Sequence, residues 1–421
     1  MINFLRNNFY FIYFLLASLI MQIGIGFTQV AVYGELVKLN ANPVYFTIAF
    51  SLAVFPGLFS SRLGSYFTFK FKIIYLILGA QIIGFISLII PLIVATYHQI
   101  VFLISAEFFS SFIAGLCYPP FQIYIKRVFI NDEMLPLAAK FDVYVFSVNT
   151  IIGTGIGSIV YNLFNTQKYL VINMICYILS FMIFSLAFCL KRDLTQRVSK
   201  IILTDKINKY KFFTSYLFYF KNMHHKKRYA FFMMIYIAII TTPSISLLPI
   251  IGNKFGSNVT VFNYILTPAI LFILSKSIGQ MCGPLIIKRN MFNKIYSNKM
   301  LFFLLMFLFL LLYTFLYFSN YLFLSLLIII FAHIFSNIIF SLGMYAFQKY
   351  FSSDEIGLAS SKQYQILTFS MAFISVTTGI LVNYINPVVL IYIPFFLIFF
   401  AFICKSRINI KWTRIYKRNF K

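Results

Sequence analysis

FINDEMLPLAAK, residues 129–140, and FSSDEIGLASSK, residues 351–362, decide how this chain is organised. Each is an acidic turn, Asp132-Glu133 or Asp354-Glu355, followed by small residues, a lysine and a long apolar run. The two stretches lie 222 residues apart, and other landmarks keep the same offset: Gly57 falls on Gly279, and Gly157 on Gly379. A single glycine coincidence means little, but several anchors at one offset in equivalent surroundings mark a duplicated unit. The chain reads as two copies of one half.

Composition says what the halves are made of. Of 421 residues, 61% are hydrophobic and only 10% charged, against about a quarter charged in a soluble domain. With a mean hydropathy of +0.89, the solvent is lipid. In hydrocarbon every backbone N–H and C=O must be paired within its own segment, and apolar runs of about 20 residues are helical in length, too long for barrel strands of about 10. The expected fold is an all-α membrane protein. Its twelve transmembrane helices are placed near 9–33, 43–66, 72–95, 99–124, 141–163, 168–190, 229–252, 260–287, 300–318, 321–346, 363–385 and 387–405.

Charge orients these spans. All the Lys and Arg except Lys38, Lys168, Lys254 and Lys276 fall at the two ends and in every second gap. Basic loops stay on the cytoplasmic side, which predicts a multi-pass protein of the inner (plasma) membrane with both termini cytoplasmic and a basic face toward anionic headgroups. The densest basic stretch follows the sixth span. It divides the chain into a first six-helix half (1–190), a cytoplasmic linker (191–228), a second six-helix half (229–405) and a basic tail (406–421). The apolar patch 212–220 in the linker fits either a segment lying on the membrane surface or a buried loop. The first apolar run is too long for a signal-peptide core, so it is expected to remain as a helix.

Several function classes drop out. The net charge of +26 is distributed between spans and is not gathered into the single basic face that nucleic acid requires. The five cysteines, Cys117, Cys176, Cys189, Cys282 and Cys404, sit in or beside apolar runs without metal-ligand spacing, so they read as packing residues, and neither a metal nor a cofactor is expected. Four histidines and nine acids, none at catalytic spacing, argue against a membrane enzyme.

Four stretches carry a family pattern. The second span ends in GLFSSRLGSYF (57–67), where Gly57, Ser60, Arg62 and Gly64 match the loop Gly-x-Leu-Ala-Asp-Arg-x-Gly-Arg-Arg, with Ser61 at the Asp position. AEFFSSFIAGLCYPP (106–120) is similar to an Arg-containing fourth helix, with Glu107 in place of the Arg. GTGIGS (153–158) stands where an exporter signature reads Gly-Pro-x-x-Gly-Gly, matching at Gly153 and Gly157, and SLLPIIGNKFG (246–256) is similar to a Leu-Leu-Pro helix end. Together they resemble the major facilitator superfamily, nearest its drug and siderophore exporters. The resemblance implies two six-helix halves with a substrate site between them near the membrane midplane. It further implies a secondary transporter working by alternating access on a small organic solute, with Gly57, Arg62 and Gly64 in a gating loop and Gly153 and Gly157 in helix packing. Proton-coupled efflux is the expected mode. Import of a siderophore or similar metabolite, or a sensor that moves nothing, remain as alternatives. A monomer is expected, with the solute, protons and the bilayer as partners.

Individual residues add candidates. Glu107 is a carboxylate within a span, at roughly 2.5–3.5 kcal/mol on insertion scales, and such groups normally face a cavity. About eight residues from the outer end, or about 12 Å deep, it fits a proton carrier or a structural ion pair. Lys276 is the basic residue well inside a span. It fits a partner for Glu107, a ligand for an anionic substrate, or a snorkelling side chain, although a span beginning at 260 would bury it about 24 Å from the outer end, too deep to reach Glu107. Gln22 and Gln29 share a face of the first span beside Gly24 and Gly26, and His333, Asn337 and Ser341 share a face of the tenth. Thr241, Thr242, Ser244 and Ser246 surround Pro243 in the seventh, where a kink is expected. Each set reads as cavity lining or as interhelical hydrogen bonding, and His333 also as a proton carrier. Asp142, at the cytoplasmic start of the fifth span, is placed to pair with Arg62 as a gate.

Overall fold

The computed structural model describes residues 8–39, 43–94, 100–129, 132–157, 160, 164–198, 223–256, 259–261, 264–288, 292–293, 296 and 298–419. In the first half the helices are α1 (Phe9–Lys38), α2 (Pro43–Leu52), α3 (Gly57–Lys70), α4 (Ile73–Ser87), α5 (Ile89–Val94), α6 (Ile100–Val128), α7 (Leu135–Val148) and α8 (Thr166–Leu190). α7 continues into a π-helical stretch, Asn149–Ile156. The second half holds α9 (His225–Asn253), α10 (Pro268–Ile286), α11 (Lys299–Phe318), α12 (Leu322–Tyr350), α13 (Ile356–Leu381) and α14 (Pro387–Asn419). Among the described residues nine helices are long and apolar enough to cross a membrane, and the shorter apolar helix Pro387–Ile403 adds another. α6 and the α7–π rod lie in the places of the fourth and fifth expected spans, so the described helices match the expected twelve approximately.

Four expected boundaries change. The second span bends through a turn at 53–56, because Pro56 has no N–H to donate and disfavours a helical residue before it. The third is interrupted by a turn at Leu88. α14 runs on through the basic tail to Asn419. The eighth span does not start at 260: Val259–Val261 (β1) and Tyr264–Leu266 (β2) form an antiparallel hairpin, and α10 begins at Pro268, where the Thr267 hydroxyl accepts from the Ile270 N–H. The linker patch 212–220 lies outside the described residues.

Glycines set the closest helix approaches, and they do so twice. In the first half α3 packs on α6, where a Cβ on Gly64 would fall on the Leu116 carbonyl oxygen and one on Gly115 would come 2.7 Å from the Gly57 Cα. In the second half α10 packs on α12, where a Cβ on Gly279 would fall on the Ile330 carbonyl oxygen and one on Gly283 would come 2.8 Å from the Asn337 Cβ. The offset that carries Gly57 onto Gly279 carries α3 onto α10, so the two halves use equivalent helices for the same approach. Between helices in lipid there is little hydrophobic driving force, so close van der Waals contact through small residues supplies the attraction. Buried polar bonds add to it, such as Asn173 Nδ2 to Thr28 Oγ1 at 2.6 Å and Ser180 Oγ to the Ala17 carbonyl at 3.0 Å, which tie α8 to α1.

Candidate functional site at the interface of the halves

The halves meet along two seams. α2 and α3 run beside α13, and α7 with its π stretch runs beside α10. The 222-residue offset exchanges α3 with α10 and α7 with α13, so these seams are equivalent.

A third contact closes the bundle at its basic-loop end, where α6 meets α12. Lys126 Nζ donates to the Gln348 carbonyl oxygen, and the Gln348 side-chain amide donates to Gln122 Oε1 at 2.6 Å. Gln122 in turn donates to Asp142 Oδ2 at 3.5 Å. Beside them the Ser361 hydroxyl donates to the Ser61 carbonyl at 2.9 Å and accepts from Gln365 at 2.9 Å. The Tyr118 and Tyr364 rings stack across the seam with centroids 4.7 Å apart. Two glycines permit this approach: a Cβ on Gly57 would meet the Tyr364 ring at 2.5 Å, and one on Gly357 would meet Ile123 at 2.5 Å. The closure consists largely of side-chain hydrogen bonds, each worth a net of about 1 kcal/mol because water can replace the lost partner.

The expected gate residues are only partly in this closure. Gly57 is in it, and Gly64 holds α3 against α6. The Asp142–Arg62 pair does not form: Asp142 lies against Gln122 and Tyr118, while Arg62 is exposed and lies near Lys362 of α13. With Ser61 in the loop where an Asp was expected, α3 offers its backbone carbonyl to Ser361.

Glu107 and Lys276 are closer in depth than the sequence suggests. Lys276 is eight residues into α10, about 12 Å, because the hairpin replaces the first turns of the expected span, against about 12 Å expected for Glu107. They are nevertheless not partners. Glu107, 1% exposed, faces Tyr33 and Tyr177 of its own half, and among the described residues no Lys, Arg or His makes an ion pair with it. Lys276 lies near His333.

The polar faces separate. Gln22 and Gln29 are part-exposed, and Gly24, on the opposite side of α1, packs on Asn173 and Cys176 of α8. A Cβ on Gly153 would come 2.8 Å from the Gly26 Cα and one on Gly157 would come 3.1 Å from Val30, so both glycines of the exporter-like stretch bring the fifth span onto α1. His333, Asn337 and Ser341 are buried, and α10 covers the first two through Gly279 and Gly283. The His333 ring nitrogen Nε2 is 2.8 Å from the Tyr313 hydroxyl, Asn337 donates to the His333 carbonyl at 3.1 Å, and Ser341 donates to the Asn337 carbonyl at 2.9 Å. Of the two readings of this face, cavity lining and interhelical hydrogen bonding, its contacts are those of a helix seam. The kink expected at Pro243 is not a break, since α9 is continuous from His225 to Asn253 and Thr242 returns its hydroxyl to the Ala238 carbonyl at 2.6 Å. Ser244 is fully buried, with its hydroxyl unpartnered. Among the described residues no group of three or more His, Cys, Asp or Glu could hold a metal ion.

No family model and no curated protein matches the chain. Solved structures do. The human organic anion transporter MFSD10 (TETRAN) aligns over 91% of this chain and 97% of its own, with a TM-score of 0.62 at 10% identity. A bacterial homologue of the iron transporter ferroportin, in its outward-facing state, aligns over 95% and 98%, with a TM-score of 0.62 at 13% identity. The major facilitator superfamily transporter FucP, in its outward conformation, aligns over 92% and 98%, with a TM-score of 0.54 at 12% identity. The chain has the major facilitator fold. At such identities the likeness carries the fold alone.

Several residues of this major facilitator bundle escape sequence reading. Gln122 and Gln348 join the halves, yet the offset maps neither onto the other, because it identifies equivalent residues and not touching ones. Lys126 and Gln348 are equivalent, and a near-match of Lys and Gln in two polar helix ends was the available signal. Glu35, near the outer end of α1, is buried and accepts from the Thr166 hydroxyl at 3.0 Å. A carboxylate at a span terminus is ordinarily solvated, so nothing in the sequence marks it.

Proposed function

We propose that this protein is a secondary transporter that moves a small organic solute across the inner (plasma) membrane by alternating access, coupled to protons and working as efflux. Its basic loops and both ends lie in the cytoplasm. The observation that carries the reading is the polar closure between equivalent helices, Lys126 and Gln122 on α6 with Gln348 on α12. Two rigid halves joined along equivalent seams and closed at one end by exchangeable hydrogen bonds are built to rock. Closure in one state and hydration in the other differ by only a few such bonds, so a bound solute or proton is enough to shift the balance.

Glu107 is the proposed proton carrier. The absence of an ion pair to it among the described residues favours this role over a structural pair. The packing of Gly153 on Gly26 supports the exporter-like reading of the fifth span, since a glycine contact lets α1 and the fifth span move against each other with little steric resistance.

The test compares the solutes retained by cells lacking the protein with those of cells overproducing it, then reconstitutes the full chain with any solute that differs. Protein-dependent exchange that a pH gradient drives is the expected result. Absence of protein-dependent movement for every solute would refute the reading. Reporters fused after Lys200 and at Asn258 test the orientation, the first expected inside and the second outside.

A further inference from the structure

Lys276 occupies an unusual place on α10. Ile278, Met281 and Leu285 are 44%, 39% and 60% exposed and form the lipid-facing ridge of that helix. Lys276 points the opposite way, since a residue two positions from one face of an α-helix lies about 200° around it. Of the residues three, four and seven positions from it along this inner stripe, Ala269, Phe272, Gly279, Gln280 and Gly283 are buried, and Ile273 is part-exposed. Lys276 itself, in the middle of the stripe, is part-exposed. Two part-exposed side chains, Ile273 and Lys276, on the protein-facing side of the helix border an unfilled space inside the bundle. That side of α10 packs on α12, α9 and the α7–π rod of the other half, so the space lies where the halves adjoin.

The charge is uncompensated. Among the described residues no carboxylate lies within ion-pair distance of Lys276: Glu107 faces Tyr33 and Tyr177, Glu35 accepts from Thr166, and Asp142, on the α7 helix that packs against α10, accepts from Gln122. The neighbouring titratable group is His333, whose Nε2 is held by Tyr313. An ammonium group in a low-dielectric surround, with no acid to balance it, is costly unless something else supplies the negative charge.

We infer that Lys276 is the anion-binding residue of the transport cavity and that the solute carries a carboxylate, sulfonate or phosphate group held by its ammonium. This rests on the transport reading for its meaning, but its physical core, a positive potential in a hydrated space at Lys276, does not. An anion entering this site exchanges a hydrated counterion for a fixed ammonium, whereas a cation meets like charge and is rejected. The class of solute is therefore set by one residue on one helix.

The experiment places a reporter cysteine at Ile273, a part-exposed residue one turn from Lys276, in the full chain reconstituted into liposomes. Two methanethiosulfonate reagents of similar size are compared, the anionic 2-sulfonatoethyl and the cationic 2-trimethylammonioethyl, with labelling of residue 273 read by mass spectrometry. The sulfonate stands for the anionic end of the solute. With Lys276 present the anionic reagent is expected to react about tenfold faster, because a charged cleft concentrates its counterion. Lys276→Gln should abolish the preference and Lys276→Arg should keep it. Equal rates with Lys276 present, a preference that survives Lys276→Gln, or no labelling by either reagent would each overturn the inference. None of these results depends on transport, so the alternating-access reading would stand. A second arm asks which solute the reconstituted protein moves: a net anion whose movement Lys276→Gln abolishes supports the inference, and a neutral or cationic solute overturns it alone.

Discussion

Lys126 donates to the backbone carbonyl of Gln348, the residue that stands in Lys126's own place in the second half, 222 positions on. Equivalent residues of two related halves can touch only close to the axis that relates them. This bond therefore marks where the axis leaves the bundle at the basic-loop end, and the closure there is central. Gln348→Ala keeps the carbonyl but removes the bond to Gln122, leaving a buried amide without its partner. The expected loss, about 1 kcal/mol, shifts the closed end toward opening by about fivefold. A cysteine at Ser361, labelled by an impermeant thiol reagent from the basic-loop side, should react faster by that factor. An unchanged rate would mean that the bond does not hold the end shut.

Gly57 is placed where a side chain would strike the Tyr364 ring across the seam. Gly57→Val should keep the halves from closing and reduce transport at least about tenfold while the protein still elutes as a single species. Tyr364→Ala in the same chain should restore a measurable part of the rate by removing the obstacle. Wild-type transport by Gly57→Val alone would show that the seam does not close as described.

Two other glycines form a matched pair. At Gly153 a Cβ would meet the backbone of α1, whereas at Gly79 nothing lies within 4 Å. Gly153→Leu should lower the thermal midpoint in detergent, at a cost of about 1–3 kcal/mol for forcing two helices apart. Gly79→Ala should leave the midpoint unchanged or raise it, since alanine is the better helix former by about 1 kcal/mol. Equal effects at the two positions would contradict the packing.

For Glu107 the expected signature is a split. Glu107→Gln keeps the size and polarity of a buried side chain but cannot exchange a proton, so pH-gradient-driven transport should vanish while solute counterflow persists. Gradient-driven transport that survives the change would remove Glu107 from the coupling step.

The duplicated architecture was legible because its anchors are backbone requirements. Gly57 and Gly279 each sit where α3 or its counterpart α10 comes closest to a neighbouring helix, and such positions leave a mark at fixed spacing. The start of α10 was not legible. Val259–Val261 and Tyr264–Leu266 are as apolar as a helix turn, and hydropathy does not distinguish a short strand from helix. That misplacement alone set Lys276 twice too deep. The π stretch at 149–156 and the bond from Gln348 to Gln122 were also out of reach, because both depend on how helices are rotated against each other. The face of His333 and Asn337 was found correctly as a polar stripe, yet polarity alone could not say whether water or α10 covered it.

The central claim, that two halves open and close about their related ends, is tested most directly by the distance between spin labels at Val128 and Tyr350. These residues end α6 and α12 and are equivalent under the offset. Pulsed electron–electron resonance on the labelled full chain in lipid nanodiscs should give a short distance for the closed end and a second, longer one, the longer population growing when Gln348→Ala is introduced. A single short distance that neither pH nor Gln348→Ala alters would contradict alternating access.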